Sequence, residues 1–249
     1  RFVIIGGGPT GVELVAELQE FIIGTFSHYY PKEIIDDVSI ILIERGSELM
    51  SSFGPKVRKK SLEILDKKGI RIMLNTSVKE ISNPQITLSD GTIIFTETAI
   101  WVAGIKPSDL KFDIPITRSQ DGKILVNEFL QVLGHEKIFA LGDIASFTQK
   151  NSTLPELAQV AEKEAKMVAK NIKLLINNHA PKSFYYHHRG NMLSIGRWMG
   201  IIEIAGFTFS GHLMWWVWRT VYLSKLISFR KKVEVSVDWT LNLFSPRDI

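Results

Sequence analysis

The chain has 249 residues, 45% of them hydrophobic, and a formal net charge of +4. That allows a substantial core in two or three structural units and excludes a disordered chain. It contains no cysteine, which excludes a disulfide, a thiolate zinc site or a redox thiol pair within these residues. The positive excess is confined to residues 181–249, which also hold five of the six tryptophans, Trp198, Trp215, Trp216, Trp218 and Trp239. Aromatic and basic enrichment together suits a membrane interface or nucleic acid. Arg1 leads directly into an apolar strand, so the chain is expected to start inside a larger protein, and no targeting segment is readable. The six histidines show no metal-ligand spacing, so no metal site is expected.

In chain order, residues 3–18 run an apolar strand into a glycine-rich turn and then a helical pattern. Gly6, Gly8 and Gly11 fall in the GxGxxG spacing. The first glycine permits a tight turn, the second lets backbone approach a pyrophosphate, and the third lets helix pack against strand. A helix starting at Pro9 or Thr10 would aim its free N–H groups and positive dipole end at phosphates. Leu14, Val15, Leu18 and Ile22 follow at helical spacing.

Residues 24–37 read as a helix end and surface loop before a second strand, Val38 to Ile43, which ends in Glu44. A carboxylate there accepts hydrogen bonds from the adenosine ribose hydroxyls and repels a 2′-phosphate, which favours NADH. Its separation from the glycines exceeds the usual ~20 residues, and the 24–37 insertion accounts for this. Arg45, next in sequence, points the other way, because an arginine there can pair with a 2′-phosphate.

Residues 55–68 form a basic amphipathic helix with Val57, Leu62, Ile64 and Leu65 as its apolar side, ended by Gly69. Strands Ile70–Leu74, Val78–Ile81, Gln85–Leu88 and Thr92–Phe95 follow, the last two joined by a hairpin-favouring Asp90-Gly91. This β-meander leads to a strand at Ala99–Ala103 and a loop at Gly104, whose lack of a side chain would admit the nicotinamide end of a ligand. Beyond Pro107 the strands shorten, at Ile124–Val126 and Lys137–Leu141, and the second ends in Gly142-Asp143. A helix is predicted after that, with Pro155 in its first turn and Leu157, Ala161, Ala165, Val168, Ile172 and Leu175 as its apolar stripe. A ligand between strand end and helix start is the natural occupant.

Residues 211–232 cannot form a clean transmembrane helix, because Arg219 and Lys225 interrupt an apolar run short of the required ~20 residues. At 100° per residue Trp215, Trp218, Tyr222 and Phe229 fall in a narrow arc, and Arg230, Lys231 and Lys232 cluster beyond it. That pattern suits a helix lying on an anionic bilayer. Leu213, Val217, Leu223 and Ile227 occupy other sides, so part of the helix is expected to pack on protein or on a second copy. No nucleic-acid fold signature occurs earlier, so the membrane is favoured over nucleic acid.

GGGPTGVE, WVAGIKP, ALGD and PELAQVA, in that order, resemble the flavoproteins with two dinucleotide-binding domains, the pyridine nucleotide-disulfide oxidoreductase superfamily. FYYHHRGNMLSIGR, SGHLMWWVWRTVYLSKLISFRKK, DW and a terminal RDI narrow the resemblance to type II NADH:quinone oxidoreductases, nearest the plant-like and cyanobacterial members. The resemblance implies an α/β fold in three parts: a Rossmann-like NADH domain with a β-meander (1–106), the returning portion of an FAD domain (107–178) and a membrane-association region (179–249). The amino-terminal FAD half is then expected outside this sequence.

It also implies a peripheral membrane flavoenzyme, mitochondrial or bacterial, passing electrons from NADH through FAD to a membrane quinone without pumping protons. A homodimer through the carboxy-terminal region is possible on the same grounds. The cofactor contacts implied are Gly6, Gly7, Gly8, Pro9, Thr10, Gly11, Glu44, Arg45, Ala103 and Gly104 for NADH. Those for FAD are Gly142, Asp143, Leu157, Ala158 and Gln159. Glu13 matches a family glutamate near nicotinamide and flavin. Gln159 matches the first glutamine of the quinone-end motif, whereas Lys163 stands where the second is usual. That positive charge either alters quinone binding or stabilises a reduced quinone oxygen. Two rival readings are a soluble or disulfide-type flavin reductase and a non-catalytic NADH-binding fragment.

Overall fold

In the computed structural model, which describes residues 1–188 and 190–244 and leaves out the side chains of 243 and 244, the first strand β1 (Phe2–Ile5) is central in a parallel sheet. It is followed by α1 (Pro9–Glu20), α2 (Lys32–Asp36), β2 (Ile40–Ile43), α3 (Pro55–Lys67) and β3 (Arg71–Met73). Then come the meander strands β4 (Val78–Ser82), β5 (Gln85–Leu88) and β6 (Ile93–Phe95), and β7 (Thr98–Trp101). The parallel sheet has the order β3-β2-β1-β7. Successive side chains of a strand point to opposite faces, and here each face has its own core. Val3, Ile5, Ile41 and Ile43 pack with Ile86, Leu88 and Ile94 of the antiparallel meander. Ile4 and Leu42 pack with Val12, Val15 and Ala16 of α1 and Val57, Ile64 and Leu65 of α3.

The strand positions expected from the sequence agree to within a few residues. The segment after α1 is more structured than the expected loop, with a π-helical turn (Phe21–Thr25), a 3₁₀ turn (Phe26–His28) and α2. On α3 the buried positions are Val57, Ser61, Ile64 and Leu65, while Leu62 is exposed. The inward arc runs through the small, buried Ser61, and Leu62 lies on the outer side. Gly69 ends the helix with φ +72°.

Residues 105–188 form a separate compact unit. It contains β8 (Ile124–Leu125), β9 (Gln131–Val132), β10 (His135–Phe139), β11 (Ala145–Ser146), β12 (Thr148–Gln149), β13 (Ser152–Thr153) and α4 (Ala158–Ile176). Its strands pair only two at a time, β8 with β11 in parallel and the others antiparallel. The expected helix start is corrected: Leu157 is the N-cap and Pro155 lies before the helix. The expected stripe is corrected too, because the buried positions are Val160, Glu164, Val168 and Asn171. Two polar side chains are buried because backbone groups need them. Asn171 Nδ2 donates to the carbonyls of Phe129 (3.2 Å) and Lys182 (2.9 Å), and its Oδ1 accepts from Lys182 N–H (2.8 Å).

The carboxy-terminal residues return to the first unit as a three-stranded antiparallel sheet, β14 (Asn191–Ser194), β15 (Gly200–Ile204) and β16 (Phe207–Gly211), then α5 (His212–Lys225) and α6 (Phe229–Phe244). Leu193, Ile195 and Ile201 belong to the same core as Ile4 and α1. The aromatic helix expected across 211–232 is therefore two helices, interrupted after Lys225 where Leu226 turns extended. Trp215 and Arg219 face inward, and the guanidinium of Arg219, a residue only 8% exposed, lies 4.3 Å from the Trp215 ring centre and 4.2 Å from that of Trp239. Desolvated cation–π contacts are worth up to about 2 kcal/mol, so the charge that breaks the apolar run clamps α5 to α6. Outward lie Leu213, Trp216 and Val217 on α5, Ile227 between the helices, and Phe229, Val233, Val237 and Leu241 on α6, all exposed. Among the described residues no helix is long and apolar enough to cross a membrane. The terminal Arg247, Asp248 and Ile249 lie outside the described residues.

Candidate functional site

The carboxyl edge of the parallel sheet gathers residues from three strand ends. The registers Ile5↔Ile43 and Ile5↔Trp101 set Gly6 beside Glu44 on one side and Val102 on the other. Gly6 has φ +120°, and a Cβ there would come within 2.8 Å of the Ala103 nitrogen, so both conformation and space require glycine. At Gly11 a Cβ would overlap the Gly6 carbonyl oxygen; this is the close helix-to-strand approach. Around Gly8 there is open space. Gly8 is also the N-cap of α1 and caps it with no side chain, leaving the first-turn N–H groups of Thr10 and Gly11 to meet a ligand.

Glu44 does more than sit at a strand end. One carboxylate oxygen accepts from Gly7 N–H and the other from Gly46 N–H, both at 2.6 Å. Met50 N–H donates to the Gly7 carbonyl at 2.8 Å, so residues 44–50 grip the glycine turn from outside. Arg45 is exposed beside it, and Ala103 and Gly104 are exposed on the β7 side, Gly104 with φ +83°. The predicted nucleotide residues from Gly6 to Gly11, Glu44 and Ala103 are thus brought together.

Glu13 serves another place in the same unit. Its carboxylate accepts from Ser194 N–H at 3.0 Å, joining α1 to β14. With Glu17, Trp215, Trp218, Arg219 and Trp239 it lines a cleft of about 350 Å³. Burial pushes its pKa up, the Ser194 N–H pulls it down, and the Glu17 charge pushes it up again. Burial likewise raises the Tyr222 phenol, as does the nearby Glu13 charge.

In the second unit Gly142 and Asp143 begin a 3₁₀ turn (Gly142–Ile144), with Gly142 at φ +70° and Asp143 exposed. They line a cleft with Leu157, Val160, Ala161 and Glu164 at the start of α4, whose N-cap offers no side-chain cap. Ala158 and Lys163 are exposed and Gln159 half-buried, and these three do not line that cleft. Sequence reasoning missed Glu164. It is 3% exposed, and its Oε2 accepts from Gly142 N–H at 2.7 Å. Burial raises its pKa, the Gly142 N–H lowers it and the Asp143 charge raises it. One signal could have found it: an acid on the arc Val160–Glu164–Val168, where a helix facing a core should be apolar.

Residues 1–165 match the family model described as pyridine nucleotide-disulphide oxidoreductase, and residues 188–248 match the NDH2 C-terminal domain. The internal alternative NAD(P)H-ubiquinone oxidoreductase A1 of Arabidopsis thaliana mitochondria is 31% identical over 99% of this chain and 52% of its own length. The type II NADH:quinone oxidoreductase Ndh of Mycobacterium tuberculosis is 30% identical over 99% of this chain and 55% of its own length. NDH2 of Plasmodium falciparum, solved with NADH, superposes with a TM-score of 0.90 at 20% identity, covering 99% of this chain and 66% of that one. The chain spans about half the length of the curated relatives it matches. With the glycine-turn strand edge inside the first match and the α5–α6 region inside the second, the chain belongs to the pyridine nucleotide-disulphide oxidoreductase family and is similar over its whole length to type II NADH:quinone oxidoreductases.

Proposed function

We propose that this chain supplies the NADH-binding domain (1–106), the returning portion of the FAD-binding domain (107–178) and the membrane-contacting region (179–249) of a non-electrogenic NADH:quinone oxidoreductase. The observation that carries this reading is the glycine turn itself: open space over Gly8, an uncapped α1 and a carboxylate at the end of β2. A dinucleotide pyrophosphate fits there against backbone N–H groups. Glu44, held by two amides, keeps lone pairs for ribose hydroxyls and sets a negative charge against a 2′-phosphate, so NADH is the preferred nucleotide. Ala103 and Gly104 would border the nicotinamide end. Glu13, whose burial favours its protonated form, is a group on α1 able to hold a proton.

The Gly142 turn and the α4 start fit part of a flavin nucleotide. The positive-φ glycine leaves room, Asp143 offers an exposed acceptor, and the uncapped helix at Leu157, Ala158 and Gln159 favours negative charge. FAD bound there would supply the redox chemistry, that of a two-electron carrier between NADH and a quinone. Gln159 and Lys163 would face the quinone, with the Lys163 ammonium attracting a reduced quinone oxygen. The apolar outer surface of α5 and α6, with Arg230, Lys231 and Lys232, fits an anionic bilayer, and a second copy of the chain is the other cover for that surface.

The test uses the full-length protein loaded with FAD on lipid vesicles. NADH oxidation should accelerate when a membrane quinone is added, with quinol as product. Flavin reduced by NADH but not reoxidised by quinone would sink the quinone assignment and leave a soluble flavin reductase. For the 249-residue chain alone, absence of flavin absorbance after purification would make it a nucleotide-binding fragment.

A further inference from the structure

The Gly142 turn is held by a residue that no motif contains. Glu164 lies within α4, its side chain buried, and its Oε2 accepts the Gly142 N–H at 2.7 Å. Gly142 has φ +70°, and the space a Cβ would enter there is bounded by Ala161 at 3.6 Å, one helical turn before Glu164. The strand-end turn is therefore fastened to α4 by a charge-capable hydrogen bond, one helical turn from the place where Ala161 faces Gly142. Asp143 is the next residue along the chain and is exposed, while Glu164 is enclosed. The Asp143 charge acts on Glu164, raising its pKa. An N–H donated to a buried carboxyl is stronger and more directional than one shared with water, so the orientation of the turn depends on this bond.

We infer that Glu164 is a positioning residue for the flavin: it fixes the Gly142–Asp143 turn so that the exposed Asp143 carboxylate is presented to the cofactor, while itself making no contact with it. The inference rests on the reading of Asp143 as a flavin ligand. It assigns the two carboxyls different work, Asp143 as an acceptor toward the hydroxyl-bearing part of FAD and Glu164 as the acceptor that sets its direction. Gln can replace Glu164 in that work, because an amide oxygen still accepts from Gly142 N–H. Asp cannot, because it is one methylene too short to reach.

The experiment compares full-length wild type, Glu164→Gln and Glu164→Asp, each stripped of flavin and titrated with FAD by quenching of flavin fluorescence. Visible spectra of the reloaded proteins and apoprotein melting temperatures are recorded alongside. The expected result is near wild-type FAD affinity for Glu164→Gln and a loss of about tenfold or more for Glu164→Asp. The flavin band of the Asp variant should also shift, while NADH affinity of its apoprotein is unchanged. Wild-type FAD affinity and spectrum in Glu164→Asp would overturn the positioning role while leaving the flavoenzyme reading in place. A wild type that takes up no FAD would overturn both. An equal fall in FAD and NADH affinity in Glu164→Asp would make Glu164 a fold-stabilising residue and also overturn the inference.

Discussion

Two glycine turns at strand ends, Gly6–Gly11 in the first unit and Gly142–Asp143 in the second, are each fastened by a carboxylate that accepts a glycine N–H. The carboxylates reach them by different routes. Glu44 comes from the end of the neighbouring parallel strand, is partly open to solvent and holds two amides, those of Gly7 and Gly46. Glu164 comes from the helix that follows the turn, is buried and holds the Gly142 amide. The comparison teaches that pinning such a turn is a separate task from binding the ligand, and that the pinning residue has no fixed place in the sequence. The first turn sits on a sheet of four parallel strands, whereas the second is flanked by strands paired only two at a time.

The sharpest way to break the comparison is at the glycines. Gly11→Ala should raise the NADH KM of the full-length enzyme more than a hundredfold. It should also lower stability by about 2 kcal/mol, because the new methyl overlaps the Gly6 carbonyl and α1 must move. Gly8→Ala should cost well under that, an N-cap loss of about 0.5–1 kcal/mol with no clash because open space surrounds it, yet weaken NADH binding where the pyrophosphate approaches. Equal effects of the two on melting would mean that the turn is not built as described.

Next in size is the outer surface of α5 and α6. Replacing Ile227 and Phe229 by Ser should cut vesicle binding by about tenfold or more per residue, at about 1.5–3 kcal/mol for each large apolar side chain buried. Melting should be unaffected, because both are exposed. Vesicle flotation reads the first quantity and thermal unfolding the second. Arg219→Ala should do the reverse, lowering stability by about 2 kcal/mol through loss of the Trp215 and Trp239 contacts.

Glu44→Arg should shift turnover from NADH toward NADPH several-fold by replacing the charge that repels a 2′-phosphate. An unchanged ratio of the two kcat/KM values removes Glu44 from nucleotide selection and leaves it only its role in holding Gly7 and Gly46.

The smallest expected effect is a pH dependence at Glu164. Burial raises Glu164 above its ordinary value of 4.5, so the folded protein holds that proton more tightly than the unfolded chain. Its stabilising contribution is complete below 4.5 and is lost as pH rises through the raised value. Glu164→Gln, neutral throughout, should therefore gain melting temperature relative to wild type between pH 5 and 8, by a few degrees. A difference that stays flat across that range would mean that Glu164 titrates as an ordinary carboxyl.

The apolar runs of β1 and β2, the GxGxxG spacing and the order of the elements determined by themselves that a strand would lead through a glycine turn into a helix, and where that turn would lie. These are local facts: short apolar runs, the steric freedom of glycine and the meander's Asp-Gly turn act within a few residues. Three features were decided only by tertiary structure. The inward face of α4 was misjudged because Glu164 and Asn171 look like surface residues until the backbone groups they satisfy, Gly142, Phe129 and Lys182, are brought beside them. The aromatic segment was read as one helix because its break at Leu226 carries no glycine or proline, and Arg219 was read as an interruption because its Trp239 partner lies on the next helix. The joining of the carboxy-terminal sheet to the α1 face, through Leu193, Ile195, Ile201 and the Glu13 to Ser194 hydrogen bond, links residues nearly two hundred positions apart. Burial of polar and charged groups depends on partners supplied from elsewhere in the chain, and a sequence pattern records the residue without its partner.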